Sequence, residues 1–158
     1  MPLNTTTWTQ YLRSIPAKWQ RRSRLEQRLL LEAFVLLGMA RLLVLCVPFR
    51  QLARTLGQHM RESAQDVAAP EEELAVLVGR AVQSAANNTP WKSVCLPQAV
   101  TGQWMLKRRR IAATLYLGVM KAEQKPEQSA AHAWLRCGSK ILTGAAGHRQ
   151  FTVVSMFS

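Results

Sequence analysis

The stretch SVCLPQAVTGQWMLKRRR, residues 93–110, decides most of what can be predicted about this fold. Ser93 suits an N-cap, and Pro97 is tolerated in a first turn because an N–H there has no intrahelical partner to lose. Apolar residues then follow at helical spacing, and four cations at 107–110 suit the negative end of the helix dipole. We therefore predict a helix that is capped by Ser93 and carries Cys95 at its second position.

Cys95 is the sharpest chemical feature of this stretch. At a helix N-terminus, unbonded N–H groups and the dipole favour the thiolate, which is the nucleophilic form of cysteine. His132 lies further along the chain, at the start of a predicted strand that can bring its imidazole beside the thiol. The plainer interpretations are a small buried cysteine and a half-buried strand histidine without a partner. We predict that Cys95 is a nucleophile and that His132 is its general base.

The rest of the sequence has helical patterns first and strand patterns last. Residues 22–64 are helical in pattern, and Pro70 followed by three glutamates begins a further helix. Short β-type segments follow at 113–119, 131–137, 140–143 and 151–157. This order predicts an α+β fold, with an N-terminal helical arm at 1–64 and a core at 65–158 that together form one compact unit.

One apolar stretch, residues 29–49, is long enough to be weighed as a membrane span. Glu32 and Arg41 interrupt it, and each ion is costly in hydrocarbon. We therefore favour a helix buried in its own domain or against a partner over membrane association. The polar residues at 1–7 show no charged region followed by an apolar one, so no signal peptide is predicted.

The charge balance is strongly basic, with 21 Lys and Arg against 9 Asp and Glu and a net charge of +12. Such an excess suits nucleic acid, an anionic membrane or an acidic protein, but solvated surface charge explains it equally well. No basic stripe interleaved with aromatic residues is present, so we predict no nucleic-acid partner.

The chain has three scattered cysteines and no Cys-x-x-Cys pair. This pattern favours a reducing compartment and predicts no metal site, and no cofactor is expected.

Several segments, taken in order, resemble one known family. They are PWKSVCLPQA at 90–99, LKRR at 106–109, LYLGV at 115–119 and AHAWL at 131–135, preceded by similar residues at 32–33 and 48–50. This set resembles the transglutaminase-like leader peptidases of lasso-peptide biosynthesis, the B proteins, from about residue 20 onward. The resemblance implies a bacterial cytoplasmic cysteine peptidase with a transglutaminase/papain-like core, whose nucleophile helix packs on a short antiparallel sheet.

The resemblance also implies a substrate and partners. Members of the family remove the leader from a ribosomally made precursor, and an asparagine-synthetase-like cyclase then forms the macrolactam from the new amino terminus. Some members carry a fused leader-recognition domain, but the first 85 residues here read as helices without the strands of such a domain. The chain therefore resembles the split form, which works with a separate leader-recognition protein. The alternative is a catalytically impaired scaffold in the same maturation complex.

The sequence departs from the family pattern at the third catalytic residue. The family's triad ends with an aspartate about a dozen residues after the histidine, and no aspartate follows His132 here. A two-residue hairpin turn at 138–139 would pair His132 with Ala145 and make Thr143 its diagonal neighbour on the same face. The Thr143 hydroxyl could then accept a hydrogen bond from the imidazole, although without the charge of a carboxylate.

Three explanations of the missing aspartate stay open. Thr143 or a backbone carbonyl orients His132, a remote acid such as Asp66 or Glu123 does so, or the site is impaired. Losing a carboxylate in this position has cost about 10⁴ in rate in a serine triad, but a thiolate–imidazolium pair depends on it less.

An oxyanion hole is expected around the same helix start. The backbone N–H of Cys95 is the first candidate donor, because it points out of the helix N-terminus. The side chains of Asn88 or Thr89, just upstream, are candidates for the second donor.

Overall fold

The computed structural model describes residues 22–91, 94–120 and 131–158. These residues form helices first and strands last, which confirms the predicted α+β class. The helices are α1 (Arg24–Cys46), α2 (Phe49–Leu56), α3 (Ala69–Ala86) and α4 (Cys95–Arg108). The strands are β1 (Thr114–Val119), β2 (Ala131–Cys137), β3 (Lys140–Thr143) and β4 (Thr152–Phe157), with a 3₁₀ turn at His148–Gln150.

The four strands form one antiparallel sheet in the order β3-β2-β1-β4. Side chains of a strand alternate between its two faces, so Ala133 and Leu135 of β2 lie on the face opposite to His132 and Trp134. Leu135 packs against α4 so closely that a Cβ at Gly102 would lie 2.5 Å from its Cδ2. The sheet therefore has an inner face, covered by α4, and an outer face that carries His132 and Trp134.

The helices pack around α4. Helix α1 begins with a capping box between Ser23 and Glu26 and contacts both α3 and α4 through a buried apolar face. Glu32, which interrupts the apolar stretch of α1, pairs with Arg108 and Arg109 at the end of α4. The predicted division at residue 64 stays a prediction, although residues on both sides of it contribute to one hydrophobic core.

Helix α1 meets the length and composition of a membrane span, and it is the only such helix among residues 22–91, 94–120 and 131–158. Only 28% of its most apolar window is buried inside the protein. One face of α1 is therefore buried, as expected, whereas the opposite face is largely exposed.

The helical region predicted over 22–64 is longer than the observed one, which ends at Leu56. Helix α2 stops at Gly57, whose φ of +126° lies in a region that L side chains rarely adopt. A Cβ at Gly57 would also collide with the carbonyl oxygen of Ser158. The following residues instead run beside β4, where the Met60 N–H donates to the Met156 carbonyl at 2.8 Å and His59 bridges Phe157. The helix prediction is wrong for 57–64 because contact with a distant strand determines the path.

Arg136 of β2 fixes this segment on the outer face of the sheet. Its guanidinium donates to the carbonyls of Gly138 (2.7 Å) and Ser63 (2.8 Å), to Glu62 (3.0 Å) and to the Tyr116 hydroxyl (2.9 Å). Tyr116 in turn donates to Glu62. Burial, followed by the bond to Glu62, raises the pKa of Tyr116, so the phenol stays neutral and the network stays intact near neutral pH.

We expect Arg136→Met to lower the free energy of unfolding by about 3 kcal/mol, because it leaves buried acceptors without donors. Urea denaturation measures the change. The matched control is Lys140→Met on the exposed start of β3, which should change stability by about 0.5 kcal/mol or less. Equal effects of the two substitutions would contradict a structural role for the Arg136 network.

Candidate active site

Helix α4 begins at Cys95, and Val94 occupies the N-cap position in an extended conformation. The prediction of Ser93 as N-cap is therefore wrong, and Cys95 moves from the second to the first helical position; Ser93 itself lies outside the described residues. Val94 makes no side-chain cap hydrogen bond, and Pro97 has no N–H to satisfy. The positive end of the helix dipole is thus left for a negative group, such as a Cys95 thiolate or a developing oxyanion.

Cys95 and His132 line the same cavity. It has a volume of about 340 Å³ and lies between the start of α4, the start of α2 and the ends of β1, β2 and β4. Apart from Cys95 and His132, its described lining is apolar: Phe49, Leu96, Leu117, Gly118, Val119, Ala131, Ala133 and Val154. The fold therefore brings together the two residues that the sequence singled out, although they are far apart along the chain.

A backbone carbonyl holds the imidazole of His132. Its Nε2 lies 2.8 Å from the carbonyl oxygen of Gly144, and because a carbonyl only accepts, Nε2 carries the hydrogen. In the neutral ring, Nδ1 is then the atom that can accept a proton. The rings of Phe151 (centroids 5.0 Å apart) and Trp134 (5.9 Å) flank the imidazole. The orientation of His132 thus depends on one hydrogen bond and two aromatic contacts.

Cys95 and His132 approach the cavity from different faces of the sheet. Cys95 packs against the hydrophobic core on the α4 side, whereas the imidazole lies with Trp134 on the outer face. Among the residues that the structure describes, no hydrogen bond joins the thiol to the imidazole. Direct proton transfer needs a separation of about 3 Å, and catalytic contacts are often longer than this before substrate binds. The arrangement is therefore a pair around one cavity rather than a preformed ion pair.

Thr143 does not hold His132. The predicted turn at 138–139 is confirmed by the pairs of Cys137 with Lys140 and Arg136 with Ile141. A shift in register then pairs Leu135 with Thr143 and breaks the pattern on which the prediction for Thr143 rested. The Thr143 hydroxyl is fully buried and has no hydrogen-bond partner within the described part of the chain. Of the open alternatives, the structure shows the backbone carbonyl, that of Gly144.

The remote acids gain no support as partners of His132. Asp66 is exposed in the linker before α3, and the carbonyl of its neighbour Gln65 lies close to Gly138. Gly138 follows the far end of β2, about 20 Å from His132 at the rise of an extended strand. Glu123 lies outside the described residues.

The side chains suggested for the oxyanion hole are engaged elsewhere. Asn88 donates to the Ser84 carbonyl at 2.6 Å, and the Thr89 hydroxyl bonds the Ala86 carbonyl at 3.0 Å, so both complete the C-terminal end of α3. Neither belongs to the described lining of the cavity. The backbone N–H of Cys95 remains the candidate donor. Within the described residues, no group of three or more His, Cys, Asp or Glu side chains is placed to hold a metal ion.

Sequence reasoning missed the role of Gly118. This residue of β1 lies directly opposite His132, and a Cβ on it would lie 2.8 Å from side-chain carbons of both Phe151 and Trp134. Its missing side chain lets the aromatic rings that flank the imidazole pack against the strand. A glycine inside a β-type segment was the available signal, because such a glycine often marks a close approach.

The carbonyl of Gly144 can be tested with two glycines of similar backbone conformation. Gly144 and Gly147 have φ of +69° and +75°, but a Cβ at 144 would collide with the Ala133 carbonyl oxygen, whereas one at 147 meets nothing within 4 Å. We expect Gly147→Ala to cost about 1 kcal/mol from backbone strain alone. Gly144→Ala should cost more and should change the ring ¹⁵N shifts of His132, as measured by NMR. Unchanged His132 shifts in a folded Gly144→Ala protein would contradict the assignment.

Alkylation separates the three cysteines by their environment. Burial raises the pKa of the Cys137 thiol, which is fully covered and donates to the Ala112 carbonyl, whereas Cys46 is exposed and Cys95 is partly exposed. At pH 8, iodoacetamide should therefore label Cys46 and Cys95 and leave Cys137 unmodified until urea unfolds the protein. Peptide mass mapping measures the labelling. Early modification of native Cys137 would show that the inner face of the sheet is not closed.

Comparison with known proteins identifies one family for most of this chain. The sequence model of the transglutaminase-like superfamily matches residues 43–156, which include α2 to α4, β1 to β3, β4 except Phe157, and both Cys95 and His132. No curated protein matches the chain, and no solved structure matches it. That superfamily generally comprises cysteine peptidases and acyltransferases. The match covers well over half of the sequence, and the chain belongs to the transglutaminase-like superfamily.

Proposed function

We propose that this protein is a cysteine peptidase that removes the leader from a lasso-peptide precursor before a partner cyclase forms the macrolactam. The observation that carries the proposal is the shared cavity, which is lined by both Cys95, the first residue of α4, and His132, at the start of β2. The superfamily supports a thiol-based acyl transfer. The resemblance of the ordered motifs to the lasso B proteins supplies the finer assignment to leader removal.

Each step of the proposed reaction has a group to perform it. Nδ1 of His132 takes the proton from the Cys95 thiol, and the thiolate attacks the carbonyl carbon of the scissile bond. The Cys95 N–H and the helix dipole stabilise the oxyanion of the tetrahedral intermediate. The imidazolium returns the proton to the leaving amine, so the C–N bond breaks and a thioester remains. Water, activated by the same imidazole, then hydrolyses the thioester and frees Cys95.

The Gly144 carbonyl takes the place of the family's aspartate in this reaction. It keeps the hydrogen on Nε2 and fixes the ring, as the carboxylate would. It carries no full charge, so it stabilises the imidazolium less. We therefore expect a lower catalytic rate than an enzyme with a complete triad would have.

The walls of the cavity indicate what binds beside the scissile bond. Leu117, Val119 and Val154 make the lining apolar, and no Asp, Glu, Lys or Arg belongs to its described part. An uncharged side chain next to the scissile bond fits this cavity, because a charge there would lose its hydration without a partner. The net charge of +12 suits acidic segments of the leader or of the separate leader-recognition protein.

A second candidate function is a scaffold in the same maturation complex. Two observations favour it: His132 bonds a carbonyl rather than a carboxylate, and no hydrogen bond joins it to Cys95 within the described residues. A scaffold would keep the fold and its partners but release no leader. Direct assay of the reaction separates the two functions.

The assay incubates the precursor with the purified protein and its leader-recognition protein and follows masses over time. We expect leader release by the wild type and by Cys46→Ala, a control at the exposed cysteine, and none above background by Cys95→Ala. No release by the wild type, or equal release by Cys95→Ala, would leave the scaffold as the function.

The role of His132 is tested in the same assay. His132→Ala should lower the rate by about 10²–10⁴, the usual contribution of a general base. His59→Ala is the control. His59 is exposed, its imidazole contacts the Ser155 hydroxyl and the Phe157 ring, and it does not belong to the described lining of the cavity, so the rate of this variant should stay within about twofold of wild type. Equal losses in the two variants would argue against general-base catalysis by His132.

A further inference from the structure

The outer face of α1 is an unusually apolar surface for a helix that is packed on its inner side. Six large apolar side chains are between 42% and 68% exposed: Leu31, Phe34, Val35, Met39, Leu42 and Leu45. At 100° per residue they occupy a sector about 140° wide. The inner face, in contrast, is closed by residues such as Leu29 and Leu37, which are 1% exposed or less. We call the six exposed residues the α1 outer face.

Both ends of the α1 outer face are basic. Arg24 and Arg28 are exposed and lie within the same angular sector at its N-terminal end, and Arg50 is exposed four residues after the last residue of α1. The two carboxylates of α1 are engaged, since Glu26 caps the helix through Ser23 and Glu32 pairs with Arg108 and Arg109. The surface is therefore apolar along its length and cationic at its ends.

We propose that the α1 outer face binds an anionic lipid surface, with the helix lying parallel to the membrane plane. Apolar side chains on one face, with arginines placed to reach lipid phosphates, are the features by which helices bind this interface. The sequence favoured a buried helix over membrane association because it could not show that most of one face stays uncovered. Among the described residues, Trp91 packs on this face, against Phe34 and beside Gly38. The proposal is independent of the peptidase function.

Three other occupants fit the surface less well. A second copy would bring arginine-flanked ends together in either orientation, at a cost in like-charge repulsion. A single partner helix needs only a narrow seam, whereas this sector is about 140° wide. A membrane-spanning helix would have to leave α3 and α4 and break the ion pair of Glu32. The anionic lipid surface matches both the width and the charge.

The position of the α1 outer face would also orient the candidate active site. Phe49, which follows α1 and is 41% exposed, lines the cavity of Cys95 and His132. Docking of α1 would thus bring the cavity close to the lipid headgroups.

The test is co-sedimentation of the full chain with vesicles of phosphatidylcholine alone or mixed with phosphatidylglycerol. We expect binding to the mixed vesicles that is at least about tenfold stronger than to the neutral ones. Leu42→Glu, at a residue 64% exposed on the α1 outer face, should weaken this binding about tenfold or more. Met60→Glu, at a residue 59% exposed outside that face, changes the net charge equally and should weaken it less than about threefold.

Two results would overturn the proposal. One is wild-type protein that does not bind mixed vesicles, and the other is equal weakening by both substitutions, which would show attraction by net charge alone. Sedimentation velocity without lipid identifies the alternative occupant. A wild-type dimer that Leu42→Glu dissociates, without vesicle binding, would assign the face to a second copy; a monomer that binds no vesicles would leave a partner protein or residues 1–21.

Discussion

The close packing of α4 on β2 is the constraint on which the rest of the structure depends. A Cβ at Gly102 would lie 2.5 Å from Cδ2 of Leu135, so any larger residue there would displace the Leu135 side chain. Helix α4 packs across β2, and its N-terminus lies at the end of the sheet where β2 begins. Cys95 and His132 share a cavity for this reason, and α1, α3 and the sheet enclose α4 from the remaining sides.

The two faces of the sheet differ in composition and in the contacts that they make. The inner face supplies apolar side chains to the core around α4, while the outer face carries an aromatic and polar row from His132 through Trp134 and Tyr116 to Arg136. Arg136 ties the 57–64 segment to this row, and the stacked rings connect the same row to His132. The residues that hold the imidazole are thus part of the interactions that close the outer face.

The candidate site orients its histidine through the backbone and not through an acidic side chain. The Gly144 carbonyl supplies the hydrogen-bond acceptor for the imidazole, and Gly144 adopts a positive φ at this point of the chain. A carbonyl accepts the same hydrogen bond as a carboxylate but carries no full charge. Because a thiolate forms more readily than an alkoxide, a cysteine nucleophile tolerates the absence of that charge better than a serine would.

The sequence by itself determined the local features of this protein. The capping box of α1, Pro70 in the first turn of α3, the turn at 138–139 and the placement of Cys95 at a helix start all follow from interactions between residues close in the chain. The choice of Cys95 and His132 as a catalytic pair came from the resemblance and from the chemistry of these residue types. Their roles as nucleophile and general base stay predictions.

Only the tertiary structure decided the features that depend on distant contacts. The register shift at Leu135 removed Thr143 from His132 and left the Gly144 carbonyl in its place. Contact with Ser158 turned the chain at Gly57, where the pattern had indicated a longer helix. The apolar composition of α1 could not show which of its faces would be covered, because burial depends on what packs against a helix and not on the helix alone.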